Sequence, residues 1–137
     1  MNETVDNNPT LMVVDDDEDC RVLLSQVLGR EGYHVLAASD GVEAQRIALQ
    51  NTPQLILMDI GMPDIDGFTV LWQMREHPEL AEVPVLIVTA YDSYDLRAEA
   101  ASLGCQGYVT KPIDLDELKA LVGTLSGRTP ERNVFIS

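Results

Sequence analysis

At 137 residues the chain has room for one domain with a proper core and is short for two. Its 23 acidic residues against 9 basic give a formal net charge of −14, which argues against direct contact with nucleic acid, where a basic face must displace counterions from phosphates, and equally against an anionic membrane surface. No apolar run approaches the roughly 20 residues that span a bilayer, and the start Met1-Asn2-Glu3-Thr4 lacks the basic and apolar segments of a signal peptide, so the protein is expected in the cytoplasm.

Residues 1–9 are polar, end in Pro9 and read as a disordered arm. Thr10-Leu11-Met12-Val13-Val14 is a short apolar run that ends in carboxylates, Asp15 to Asp19, and then Cys20, Leu23, Leu24, Val27 and Leu28 keep the spacing of one helical face closed by Gly32. Asp17, Glu18 and Asp19 read as an acidic first turn favoured by the helix dipole. Tyr33 to Ala38 forms the next strand. Asp40 is placed to cap a helix through Val42, Ala44, Ile47 and Ala48, which Pro53 ends by disfavouring helix at Thr52.

Leu55-Ile56-Leu57-Met58 has the continuous apolar character of a strand buried on both faces, and it runs straight into Asp59 and the loop Ile60-Gly61-Met62-Pro63-Asp64-Ile65-Asp66-Gly67. Asp64 and Asp66 read as residues that shape this loop. A third helix follows to about Glu76, with Phe68, Leu71 and Met74 on one side. Val85 to Thr89 is a fourth buried strand, Leu96, Ala100 and Leu103 mark a helix stopped by Gly104, and Gln106 to Thr110 is a fifth strand. The last helix starts at Asp114 with Glu117 three residues on, a capping-box spacing, and repeats Leu115, Leu118, Val122 and Leu125. Ser126 to Ser137 has no period and reads as a tail or the start of a linker, which leaves residues 10–125 as the domain.

Strands alternating with helices mean βαβ units, hence an α/β fold with a parallel sheet covered on both faces; right-handed crossovers favour a doubly wound five-stranded sheet with five helices at this length. In such a sheet Asp15, Asp16, Asp59, Thr89 and Lys111 share one edge, where neighbouring strands lie about 4.8 Å apart. Carboxylates about 5 Å apart repel by roughly 3 kcal/mol per pair at an effective dielectric near 20, so a cation belongs among them. A hard divalent ion with oxygen ligands fits, Mg²⁺ best of all, because it is usually held by one or two carboxylates with waters and a phosphate oxygen. His34 and His77 fall outside this constellation. Cys20 and Cys105 lack metal-ligand or CxxC spacing and read as reduced, structural thiols.

Val13-Val14-Asp15-Asp16, Met58-Asp59 with Met62-Pro63 and Asp66-Gly67, Val88-Thr89-Ala90 and Tyr108-Val109-Thr110-Lys111-Pro112 together resemble the receiver domain of response regulators in two-component signalling, over about residues 10–125. The resemblance implies the flavodoxin-like strand order 2-1-3-4-5. It implies that Asp59 takes a phosphoryl group from a phosphohistidine on a histidine kinase or histidine phosphotransfer protein. Asp16, Asp15, Asp59 and the backbone carbonyl of Gly61 would ligate Mg²⁺; Lys111 would pair with the carboxylate and then the phosphoryl oxygens, and Thr89 would hydrogen-bond the phosphoryl group. It further implies a switch in which Thr89 moves and the Tyr108 ring follows, read by a downstream protein on the face of the fourth helix, fifth strand and fifth helix, with a phosphorylation-linked homodimer as a further partner. A cis Lys111-Pro112 peptide is expected, and Tyr91, two residues past Thr89, is a bulky group placed to affect the phosphate lifetime.

Two readings compete. A haloacid-dehalogenase-type phosphatase would use Asp15 and Asp17 as its Asp-x-Asp, but the hydroxyl residue that usually follows is missing and the chain lacks room for a cap. A receiver-like module that only binds partners would not need the full set of site residues present here. A calcium loop starting at Asp15 fails because Cys20 and Gln26 replace the required Gly and Glu.

Overall fold

The computed structural model describes residues 8–62 and 66–128. Five strands, β1 (Thr10–Val14), β2 (His34–Ala38), β3 (Leu55–Met58), β4 (Val85–Thr89) and β5 (Gly107–Thr110), alternate with five helices, α1 (Glu18–Arg30), α2 (Gly41–Asn51), α3 (Gly67–Arg75), α4 (Tyr94–Ser102) and α5 (Leu115–Leu125). All strand pairs are parallel and the order is β2-β1-β3-β4-β5. Doubly wound five-stranded architecture and strand order are therefore those expected.

Alternation along the strands explains why the central runs are apolar throughout. Leu11, Val13, Leu55, Leu57, Leu86 and Val88 face one core completed by Leu24 and Leu28 of α1 and Leu118 and Val122 of α5. Met12, Val14, Ile56, Met58, Val85 and Ile87 face the other, completed by Ala44 and Ala48 of α2, Phe68, Leu71 and Met74 of α3 and Ala100 of α4. A strand in the middle of such a sandwich has no polar side.

The helix ends follow local chemistry. Asp17, Asp40, Asp66, Ser93 and Asp114 are the N-caps, each side chain accepting a backbone N–H from the first turn. Asp114 makes one half of the expected capping box: its Oδ1 accepts from the N–H groups of Asp116 and Glu117. Thr52, just before Pro53, closes α2 in the left-handed region with φ 44°.

Two helix residues depart from the reading of the sequence. Leu23 and Val42, counted on apolar faces, are 43% and 72% exposed. The contact of α1 with the sheet is the single row of Leu24 and Leu28, and α2 meets it through Ala44 and Ala48, so these two side chains fall beside the buried stripe. Tyr33 precedes β2 rather than opening it, and its ring is buried in the α1/α5 core. Pro9, placed in the polar arm from sequence, is packed, with its carbonyl accepting from His34 N at 3.1 Å; residues 1–7, Asp64 and the tail from Thr129 lie outside the described residues.

Candidate functional site

The register of the sheet builds the site. Val14 is paired with Met58, so the next residues, Asp15 and Asp59, leave adjacent strands side by side; the ladder continues one step further through Asp59 N to Val14 O at 3.0 Å and Asp15 N to Ala38 O at 3.1 Å. Both carboxylates are buried, Asp15 at 2% and Asp59 at 7% exposure. Asp16, one residue on, is exposed. One oxygen from each of Asp15, Asp16 and Asp59 lies within 4.8 Å of the others.

A cation stands where the electrostatics require one. Lys111 reaches over from the end of β5, its Nζ 2.9 Å from Asp15 Oδ2 and 3.1 Å from Asp59 Oδ2. Burial favours the neutral amine, but the hydrogen bonds and charges of the two aspartates outweigh it and hold Lys111 well above the ordinary lysine range. The other oxygens are tethered to backbone: Asp15 Oδ1 accepts from Asp17 N and Asp59 Oδ1 from Gly61 N, both at 2.9 Å. The peptide bond from Lys111 to Pro112 is cis.

Asp16 and the Gly61 carbonyl accept no hydrogen bond from a described residue. The donor set is thus all oxygen, with one uncommitted carboxylate and one uncommitted carbonyl beside two carboxylates that Lys111 neutralises in part. That chemistry fits a hard divalent cation such as Mg²⁺.

Gly67 opens α3 directly beneath the site. A Cβ there would lie 2.7 Å from both the Asp59 carbonyl oxygen and Ile60 Cα, so the residue type is set by the approach of α3 to the strand end. Thr89, fully buried at the end of β4, accepts from Tyr91 N through Oγ1 at 3.3 Å. Tyr108, half-buried on β5, donates its hydroxyl to the Tyr91 carbonyl at 2.6 Å and lies beneath the Arg97 guanidinium, 4.5 Å from the ring centroid. Burial, with Asp92 adding to it, pushes the Tyr108 hydroxyl up from its ordinary range. Arg97 is fixed in turn by Asp92, Nε to Oδ1 at 2.6 Å.

Three relationships lay beyond what residue types and spacing could show. The Arg21 guanidinium donates to the Asp15 carbonyl at 2.8 Å, tying α1 to the β1 end. At Cys20, burial first and then the neighbouring Asp15 charge push the thiol up to about 11. The Tyr91 ring packs on Gly61 so closely that a Cβ there would meet Tyr91 Cε2 at 2.4 Å. His34 and His77 sit at the start of β2 and after α3, at the opposite end of the sheet and of α3 from the aspartates.

A doubly wound parallel sheet with buried aspartates, a bridging lysine and a buried threonine at its carboxyl edge defines a CheY-like receiver. The response regulator receiver domain model matches residues 11–123, and the chain belongs to that family. It is 35% identical over 115 residues to sporulation initiation phosphotransferase F of Bacillus subtilis, covering 84% of this chain and 91% of that one. It is 37% identical over 121 residues to the DNA-binding dual master transcriptional regulator RpaA of Synechocystis sp., covering 88% of this chain and 50% of that one, so it spans half of that relative's length. Among solved structures it resembles the Francisella response regulator 1452 receiver domain (TM-score 0.81, 32% identity, covering 90% and 100%) and the Vibrio cholerae chemotaxis protein CheY4 (TM-score 0.82, 27% identity, covering 86% and 98%). The family is one of signalling domains rather than conventional enzymes. Among the described residues no helix is long and apolar enough to cross a membrane.

Proposed function

We propose that Asp59 is the phosphoacceptor of a two-component pathway, taking its phosphoryl group from a phosphohistidine on a histidine kinase or histidine phosphotransfer protein. The observation that carries this reading is the Lys111 ammonium held between Asp15 and Asp59 beside the open carboxylate of Asp16. In the transfer the phosphorus–nitrogen bond of the donor breaks, a phosphorus–oxygen bond to Asp59 forms, and the imidazole leaves with the electron pair. A carboxylate nucleophile is ionised at neutral pH, so no base is needed.

Phosphoryl transfer leaves the protein mainly positioning and charge neutralisation to supply. Asp16, Asp59 and the Gly61 carbonyl would hold Mg²⁺, with Asp15 contributing directly or through water; when bound, the ion neutralises charge on the phosphoryl oxygens. Lys111 is the second positive charge and exchanges an Asp59 oxygen for a phosphoryl oxygen. Gly61 N–H holds Asp59 Oδ1, which leaves Oδ2 beside Lys111 as the attacking atom.

Thr89 is the hydroxyl that donates to the phosphoryl group. In turning to do so it gives up the N–H of Tyr91, whose carbonyl is the acceptor of the Tyr108 hydroxyl. One peptide segment thereby connects the acceptor site to the face of α4, β5 and α5, where a downstream protein or a second phosphorylated copy docks. The phosphoryl bond is tested by chemistry: after labelling, hydroxylamine should release it, as expected of an acyl phosphate, and peptide mapping should place it on the segment containing Asp59. A hydroxylamine-stable label, or one elsewhere, overturns the reading.

A further inference from the structure

A furrow runs between α3 and α4, away from the α4-β5-α5 face and continuous with the mouth of the aspartate site. It consists of two adjoining hollows of about 490 and 300 Å³ that share Asp66, Phe68 and Glu99 in their lining. Phe68 forms the apolar shared wall and is 7% exposed. Tyr91 lines the upper hollow and Trp72 the lower, and these residues are 58% and 56% exposed. The lightly packed α4 leaves this space open: Ala100 is its buried residue, and Leu96 is half-buried.

The ionisable groups among the described lining residues are Asp66 and Glu99, both acidic, and both lie where the two hollows join. The Asp66 carboxylate caps α3, accepting from Thr69, whereas the Glu99 carboxylate makes no hydrogen bond or ion pair with a described residue. Two like charges facing an apolar wall are each made worse by the other. A cation at the junction relieves both, and apolar groups on either side of it would cover the exposed rings.

We propose that the α3–α4 furrow docks a partner segment in which one cationic side chain, best an arginine, is flanked by apolar ones. Arginine suits the position because its flat guanidinium can pair with Glu99 while stacking on an aromatic face. Exposed Trp and Tyr at the two ends are the residue types that anchor interfaces. This surface is distinct from the α4-β5-α5 face and does not depend on the chemistry of Asp59.

Trp72 is the sole tryptophan of the chain, so its emission reads the furrow directly. The probe is a capped, tryptophan-free peptide, GSLFRFLSG, beside counterparts with glutamine or glutamate in place of the arginine, titrated into the unphosphorylated chain. The arginine peptide should shift Trp72 emission to the blue, with amide shifts confined to α3, α4 and the start of the β4–α4 loop. The glutamine peptide should bind up to about fivefold more weakly, as expected for one partly exposed ion pair, and the glutamate peptide more weakly still. Glu99→Gln, an exposed change that leaves the fold intact, should remove most of the difference between the arginine and glutamine peptides. Equal binding of all three peptides, or amide shifts centred on another face with no response to Glu99→Gln, would overturn the proposal. Because no phosphoryl group is present, failure here leaves the Asp59 reading standing, and the converse also holds.

Discussion

Lys111 and Asp59, 52 residues apart in the chain, meet with Nζ 3.1 Å from Oδ2 in a pocket where the lysine side chain is 21% and the aspartate side chain 9% exposed. The pair ties the end of β5 to the end of β3 across β4, and Asp15 makes it a triad. Replacing Lys111 with Met leaves two buried carboxylates without their cation. In EDTA the variant should lose about 2 kcal/mol of stability in urea unfolding, the cost of breaking a partly buried ion pair. Mg²⁺ should bind it more tightly than the parent, since the amine no longer competes for Asp15 and Asp59. Phosphoryl acceptance should nevertheless fall by about 100-fold, the usual loss when a charge-stabilising donor is removed. Weaker Mg²⁺ binding in Lys111→Met would contradict the claim that the lysine and the metal share these oxygens.

Tyr91 and Gly61 form a matched pair at the mouth of the site. Gly61→Ala drives a Cβ into the Tyr91 ring at 2.4 Å, so it should displace the ring, whereas Tyr91→Ala opens the mouth to water. Tyr91→Ala is expected to shorten the life of the phosphorylated state several-fold. Adding Gly61→Ala to Tyr91→Ala should then have little further effect, so the two changes are non-additive. Independent, additive effects on the dephosphorylation rate would show that the packing does not control access.

Much of the fold was legible because its signals are redundant. The runs Leu55 to Met58 and Val85 to Val88 are apolar at every position, Asp40 and Asp114 stand where α2 and α5 start, and positive φ at Gly32 and Gly104 falls where the helices stop. Leu23 and Val42 misled because an apolar side chain beside a buried stripe has the same spacing as one within it. At the candidate site, the edge residues Asp15, Asp16, Asp59 and Lys111 follow from strand ends in a parallel sheet, and the structure brings them together. Arg21 on the Asp15 carbonyl, the burial of Cys20 beside Asp15 and Tyr91 on Gly61 depend on how α1 and the β4–α4 loop pack back over that edge. Spacing along the chain does not encode those contacts.

Arg75 should matter to stability far more than its place at the end of α3 implies. Its Nη1 donates to the carbonyls of Leu80, Ala81 and Val83 at 3.0, 3.3 and 2.7 Å, holding the turn that leads into β4. Arg75→Met would strand these acceptors and should cost about 2–4 kcal/mol. Glu76→Ala, on the exposed neighbour, should cost under about 0.5 kcal/mol. Equal effects at the two positions in urea unfolding would contradict this role.

Alkali should destabilise the fold in a defined window. Burial pushes the Cys105 thiol up to about 11, against a weak opposing influence of Arg75, and the Cys20 thiol is also near 11. Lys111 too holds its proton more tightly when folded. From an ordinary thiol value of 9.0 upward, the folded chain therefore binds more protons than the unfolded one. Stability is fully present below that pH and is lost as pH rises toward 11, with the Lys111 contribution lost above its ordinary value of 10.5. The urea midpoint should fall between pH 8.5 and 11, and less steeply in Cys105→Ala. A parent midpoint that stays level would contradict the burial of these thiols.

Intact mass after incubation with Mg²⁺ and acetyl phosphate tests the central claim most directly, run beside an EDTA control, Asp59→Asn and a phosphohistidine donor. The account predicts a gain of one phosphoryl group in the parent, lost with EDTA and lost in Asp59→Asn. No gain from either donor, or an equal gain in Asp59→Asn, would contradict it and favour a receiver that acts by binding alone.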